Sequence, residues 1–132
     1  MTIAVHLVTA LLFGGMTLFS FGFAAFLFSA LSPEMARATI RRAFPYFYLF
    51  VMATAALAAG LLWTSDPVGA AILAAVAVTT IPTRQMLMPA INRATDAGDT
   101  SRFKILHALS VAITLGHIAM TAYVLARPLI GA

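Results

Sequence analysis

Residues 3–31, IAVHLVTALLFGGMTLFSFGFAAFLFSAL, form a run of 29 positions without one charged side chain. As an α-helix this run measures about 43 Å at 1.5 Å per residue, longer than the roughly 30 Å hydrocarbon core of a bilayer. It reads as a membrane-spanning helix that must tilt or protrude. No Lys or Arg precedes it, and it is far longer than the roughly 7 to 15 apolar residues of a signal-peptide core, so it does not read as a cleaved leader.

Working outward, Ser32-Pro33-Glu34 supplies an N-cap, a proline at the first helical position and an acid in the first turn. These predict a short surface helix from about Pro33 to Phe44, closed by Pro45, with Arg37, Arg41 and Arg42 snorkelling to headgroups while Met35, Ile40 and Phe44 dip inward. A second span is expected over about 46–63, bracketed by Tyr46, Phe47, Tyr48 and Phe50 at one interface and Trp63 at the other. Ser65-Asp66-Pro67 reads as a tight turn. The third span, about 68–88, should kink at Pro82 and continue past the membrane surface through Met88 to Asn92. Asn92 to Arg102 is the most polar stretch, where Asp96 and Asp99 are expected to pair locally with Arg93, Arg102 and Lys104. The fourth span, about 105–126, stops at Arg127-Pro128. The expected fold is all-α: one integral membrane domain over 1–132, a four-helix bundle with a short interfacial helix between spans one and two.

Composition points the same way. Hydrophobic residues make up 62% and charged residues 9%, with a mean hydropathy of +0.99, whereas a soluble domain carries about 25% charge. A water-soluble globule is excluded. With no cysteine there is no disulfide framework and no thiol chemistry, and four acidic residues leave little for carboxylate-based catalysis or metal binding. No catalytic or metal-binding residue is assigned, and the seven scattered methionines read as gap-fillers. Of eight Lys and Arg residues, three lie between spans one and two, four (Arg84, Arg93, Arg102 and Lys104) at the end of span three and in the loop that follows it, and one after span four. The positive-inside rule then places both basic loops in the cytoplasm and both termini outside, N-out and C-out, as in a bacterial inner membrane. The net charge of +4 calls for anionic cytoplasmic headgroups as partner and not for nucleic acid.

Span four carries the most informative polar pattern. His107, Ser110, Thr114, His117 and Thr121 are spaced 3, 4, 3 and 4, so all five share one face. Beside them Ala108, Ala112 and Gly116 form a ridge of small residues suited to close helix approach. The plain reading is an interhelical polar seam, meeting span one near Phe13 to Thr17. The sharper reading is a proton path, an ion or substrate groove, or a cofactor wall, with His117 at its centre. Span one offers His6, Ala10, Phe13, Gly14, Thr17 and Ser20 on one face, with Gly15, Gly22 and Ser29 on an adjoining one. Ala56-x-x-x-Gly60 and Ala71-x-x-x-Ala75 are further small-residue pairs in spans two and three. His6 and His117 both fall in the outward half, so a haem b held between them is the cofactor alternative, requiring tilt to remove an offset of about 8 Å along the bundle.

Four stretches together, His6-Leu-Val-Thr-Ala-Leu-Leu-Phe-Gly-Gly15, Phe44-Pro-Tyr-Phe-Tyr48, Met88-Pro-Ala-Ile-Asn-Arg-Ala-Thr-Asp96 and Phe103-Lys-Ile-Leu-His107-Ala-Leu-Ser110, resemble the small four-span domain-of-unknown-function family that includes transmembrane protein 205. The His-to-Gly-Gly opening is also similar to that of copper-resistance D-type membrane proteins and haem-binding J-type protoporphyrinogen oxidases. The resemblance implies the four-helix fold and marks His6, Asn92, Asp96, His107 and Ser110 as family positions, with no reaction attached. The expected role is an accessory or interaction subunit of a membrane complex, through other membrane subunits or self-association. The alternatives are a haem- or metal-binding redox protein and a small transporter or channel.

Overall fold

The computed structural model describes residues 1–131; Ala132, the last residue of the expected domain, lies outside them. Four helices long and apolar enough to cross a membrane make up almost all of it: α1 (Ile3–Ala30), α2 (Pro33–Leu62), α3 (Pro67–Asp96) and α4 (Thr100–Ala126). Their lengths of 27 to 30 residues correspond to about 40 to 45 Å, enough to cover hydrocarbon and both headgroup layers. Short connections make neighbours antiparallel. Each helix packs on the next, and α1 packs against α4 to close the ring.

Local chemistry sets the helix starts. The hydroxyls of Thr2 and Ser32 accept from the Val5 and Met35 amides, and the carboxylates of Asp66 and Asp99 accept from the Gly69 and Arg102 amides. Each supplies one acceptor to amides that have no intrahelical partner. Gly98, at φ +68°, takes the left-handed turn between α3 and α4.

The expected break at Pro45 does not occur. Pro33 to Leu62 is one continuous helix with Pro45 inside it. Proline removes a single backbone bond, the one to the Arg41 carbonyl, and Arg41 is exposed, at a depth where water or headgroups can replace that bond. Within this first part of α2, Met35 is exposed, Ile40 and Phe44 are half-buried, and Ala36 takes the fully buried position. At Pro82 the chain passes directly into a π-helical turn, Thr83–Leu87, before α-helix resumes. A second π turn, Leu18–Phe23, interrupts α1 without ending it.

The core is built from side chains at helical spacing: Val5, Thr9, Leu12 and Met16 on α1; Val51, Ala55, Ala58 and Leu62 on α2; Ala70, Leu73 and Val76 on α3. Towards the basic end the packing is aromatic. Phe19 of α1 stacks on Phe47 of α2 with centroids 4.1 Å apart, and Phe44 meets Phe19 edge-on at 5.2 Å. Gly15 lets α1 approach this cluster, since a Cβ there would lie 2.6 Å from the Phe50 ring.

Each end of the bundle is tied by one two-pronged Arg–Asp pair. At the basic end Arg41 of α2 donates to both carboxylate oxygens of Asp96 of α3, at 2.8 and 3.0 Å. This corrects the expected local pairing of Asp96 with Arg93, Arg102 or Lys104; the partner is 55 residues away in sequence, while Asp99 is used as a helix cap. At the other end Arg127 donates to both oxygens of Asp66 at 2.8 Å each, fastening the α2–α3 turn to the end of α4. The Tyr123 hydroxyl also accepts from Arg127, at 3.3 Å.

The Arg127 guanidinium holds the Asp66 carboxyl below the usual carboxylate range. A depressed folded-state pKa means that the pair contributes fully above the ordinary carboxylate value of about 4 and is lost as pH falls through the lowered one. Asp66→Ala should cost about 1 kcal/mol for the helix cap plus the loss of the ion pair, whereas Asp66→Asn keeps the cap. Thermal unfolding in detergent should therefore rank wild type above Asp66→Asn above Asp66→Ala. The gap between wild type and Asp66→Asn should close on acidification below the carboxylate range, and a gap independent of pH would contradict the assignment.

Candidate functional site

The third and fourth helices bring the polar side chains of mid-bundle together. His117 lies on the inward side of α4, 8% exposed, with Thr121 fully buried one turn on. Its Nε2 is 2.8 Å from the Thr79 hydroxyl on α3. Thr79 Oγ1 also donates to the Ala75 carbonyl at 2.6 Å, so in the contact with His117 it serves as acceptor and Nε2 carries the proton. The expected partner segment, Phe13 to Thr17 on span one, is not the partner. The hydroxyl of Thr17 is turned back onto the Phe13 carbonyl at 2.8 Å, and Thr79 is the hydroxyl presented to the imidazole.

The rest of the five-residue stripe does not form a continuous interhelical seam. Thr121 donates to the His117 carbonyl at 2.8 Å and Ser110 to the His107 carbonyl at 2.9 Å. His107 is exposed and stacks on Phe103 of its own helix, 5.4 Å between centroids. Ser110 and Thr114 are half-buried. A hydroxyl that can bond the carbonyl three or four residues back satisfies itself, as Ser110 and Thr121 do, which removes the need to reach another helix. Only the imidazole, too large to turn back, crosses.

The small-residue ridges face the other way. Ala108 and Ala112 are exposed, and a Cβ on Gly116 would meet open space. The same holds for the face of α1 expected to make contacts: His6, Ala10 and Gly14 are exposed, and a Cβ on Gly14 likewise meets nothing. Ala56 and Gly60 of α2 and Ala71 and Ala75 of α3 are exposed as well. The bundle buries larger side chains on neighbouring faces instead, Leu12 and Met16 on α1 and Val124 beside His117 on α4.

The two histidines of the haem alternative have different surroundings. His6 is exposed near the start of α1, whereas His117 is committed to Thr79. The cavities at the α1–α2 face and at the Asp66–Arg127 end are lined by neither. Among the described residues no three His, Asp or Glu side chains converge on one point.

Arg84 was legible only as an interruption of the third span, and its role is structural geometry. From the π turn of α3 its Nε donates to the Pro45 carbonyl of α2 at 3.1 Å, and its Nη1 to Gln85 Oε1 at 2.8 Å. One guanidinium thus joins the proline site of α2 to the irregular turn that follows Pro82.

An imidazole–hydroxyl bond between membrane helices contributes about 0.6 kcal/mol on average, and at most about 1.7. A double-mutant cycle of His117→Leu with Thr79→Val should return a coupling energy in that range, and His117→Gln should retain most of it. Zero coupling would separate the two side chains.

Residues 7–100 match the family model described as Domain of unknown function (DUF4149). No curated protein and no solved structure matches the chain.

Proposed function

This chain belongs to the DUF4149 family, and we propose that it serves as an accessory or interaction subunit of a membrane assembly. The observation that carries the reading is the outward orientation of four small-residue ridges, with Gly14, Gly60 and Gly116 each facing open space, whereas Gly15 on the adjoining face of α1 packs against Phe50. Glycine in a helix interior costs about 1 kcal/mol relative to alanine, and in hydrocarbon it is rewarded where it lets a second backbone approach. At Gly14, Gly60 and Gly116 the reward is not collected inside the bundle, so it is available to another chain. His6 and His107, exposed on the outer faces of α1 and α4, add polar groups that a neighbouring subunit can satisfy.

The stretches Phe44 to Tyr48 and Met88 to Asp96 lie within the matched residues and support placing the chain beside the four-span proteins that include transmembrane protein 205. The basic end, with Arg37, Arg41, Arg42, Arg93, Arg102 and Lys104, supports a cytoplasmic assignment for the α1–α2 and α3–α4 connections, an inner-membrane location, and contact of the first part of α2 with anionic headgroups.

Because the chain has no cysteine, single cysteines report cleanly. Cysteines at Gly116 and Gly14 should form cross-links to a second membrane polypeptide in native membranes, and one at Ile81, an exposed position of α3 about 100° round the helix from the Ala71–Ala75 ridge, should not. Cross-linking at none of the three, together with a haem absorption band lost in His117→Gln, would replace this reading with the redox alternative. For orientation, a reporter fused to the C-terminus should be active only outside the cytoplasm, and activity inside would reverse the topology.

A further inference from the structure

A groove of about 490 Å³ runs along the outer surface between α1 and α2, lined by Gly15, Phe19 and Phe23 on one side and Ala43, Tyr46, Phe47 and Phe50 on the other. The groove is shallow and open along its length, and its lining is apolar except for the Tyr46 hydroxyl.

Its position along the bilayer normal follows from helix length. Twenty residues of α-helix cover the roughly 30 Å of hydrocarbon. Counted from the end that carries the Asp66–Arg127 pair, these twenty residues run from Leu62 back to Ala43 on α2 and from Ile3 to Gly22 on α1. Phe23 and Ala43, at one end of the groove, therefore sit at the headgroup boundary, and Gly15 and Phe50 lie about 10 to 12 Å deeper. The groove thus opens at the surface and descends parallel to an acyl chain.

Charge identifies the headgroup. Arg42 is exposed, adjoins Ala43 and lies one turn before Tyr46, two residues that line the groove. Among the described residues the ion pairs are Arg41–Asp96 and Arg127–Asp66, so Arg41 is committed, whereas Arg42, next to the Ala43 end of the groove, is in neither pair. Gly15 shapes the inner end, since any Cβ there would run into the Phe50 ring that forms one wall.

We propose that this groove is a binding site for one anionic phospholipid, an acyl chain lying along Phe19, Phe47 and Phe50 and the phosphate held by Arg42. The site is distinct from the general solvation of the bundle by lipid in that it selects headgroup charge at one position. It rests on the headgroup contact proposed for the first part of α2 and is independent of the outward ridges that carry the interaction reading.

Native mass spectrometry of the full chain, delipidated in mild detergent and supplied with chain-matched phosphatidylglycerol or phosphatidylcholine, tests it. Wild type should retain one phosphatidylglycerol with a preference of roughly fivefold over phosphatidylcholine, the effect of one arginine near a headgroup. Arg42→Gln should abolish the preference, Ala43→Trp should fill the groove and reduce retention of both lipids, and Arg102→Gln, at the same end on α4, should change neither. Equal retention of the two lipids by wild type, an equal loss with Arg102→Gln, or undiminished retention by Ala43→Trp would each overturn the proposal. Because Arg42 is exposed and outside the core, its variant decides the question even if Ala43→Trp fails to fold.

Discussion

A peptide group in hydrocarbon has no water to turn to, and leaving one unpaired costs several kcal/mol. The architecture of this chain follows from that constraint. Prolines 45 and 82 stand where a soluble protein would end a helix, yet α2 runs through the first and α3 passes the second by way of a π turn. The threonines obey the same rule. Those at positions 9, 17, 54, 79, 80, 83 and 121 each return a hydroxyl bond to a carbonyl of their own helix. No buried side-chain polar atom lacks a partner among the described residues.

Self-satisfied helices carry little information about how they should assemble, and the remaining polar contacts are few and specific. Two Arg–Asp forks fasten opposite ends of the ring, Arg84 joins two irregular turns, and His117 meets Thr79 between them. The Asp66–Arg127 pair is the more sheltered fork, with side chains 21% and 11% exposed against 59% and 44% for Asp96 and Arg41. It also does double duty, since Asp66 caps α3 while holding α4. Apolar packing fills the space between these points, aromatic near the basic end and small aliphatic between α2 and α3.

The legibility of the fold in the sequence divides along the same line. Uncharged runs and the cap residues at Ser32 and Asp66 mark helices and their starts, because those signals are local. The continuity of α2 was not legible: Pro45 has the same local meaning whether the helix stops or goes on, and the decision rests on whether the Arg41 carbonyl can reach water. The Arg41–Asp96 and Arg127–Asp66 pairs were hidden because both partners read sensibly without each other, as snorkelling cations, a stop signal and turn residues. In the site, spacing of 3 and 4 places His117 and Thr121 together, but no spacing names Thr79 as the acceptor on another helix. The ridges at Gly14 and Gly116 mark surfaces for close approach, while the sequence is silent on whether the approaching helix belongs to the same chain.

The continuity of the four helices across their irregular points is the claim on which the rest stands, and amide hydrogen exchange in lipid nanodiscs measures it most directly. Residues 46–62, and residues 83–96 through the π turn, should exchange slowly as parts of single helices, with rapid exchange confined to connections such as 97–99 and to the chain ends. Exchange at 46–50 or 83–88 as fast as at 97–99 would show the helices broken at Pro45 or Pro82 and would contradict it.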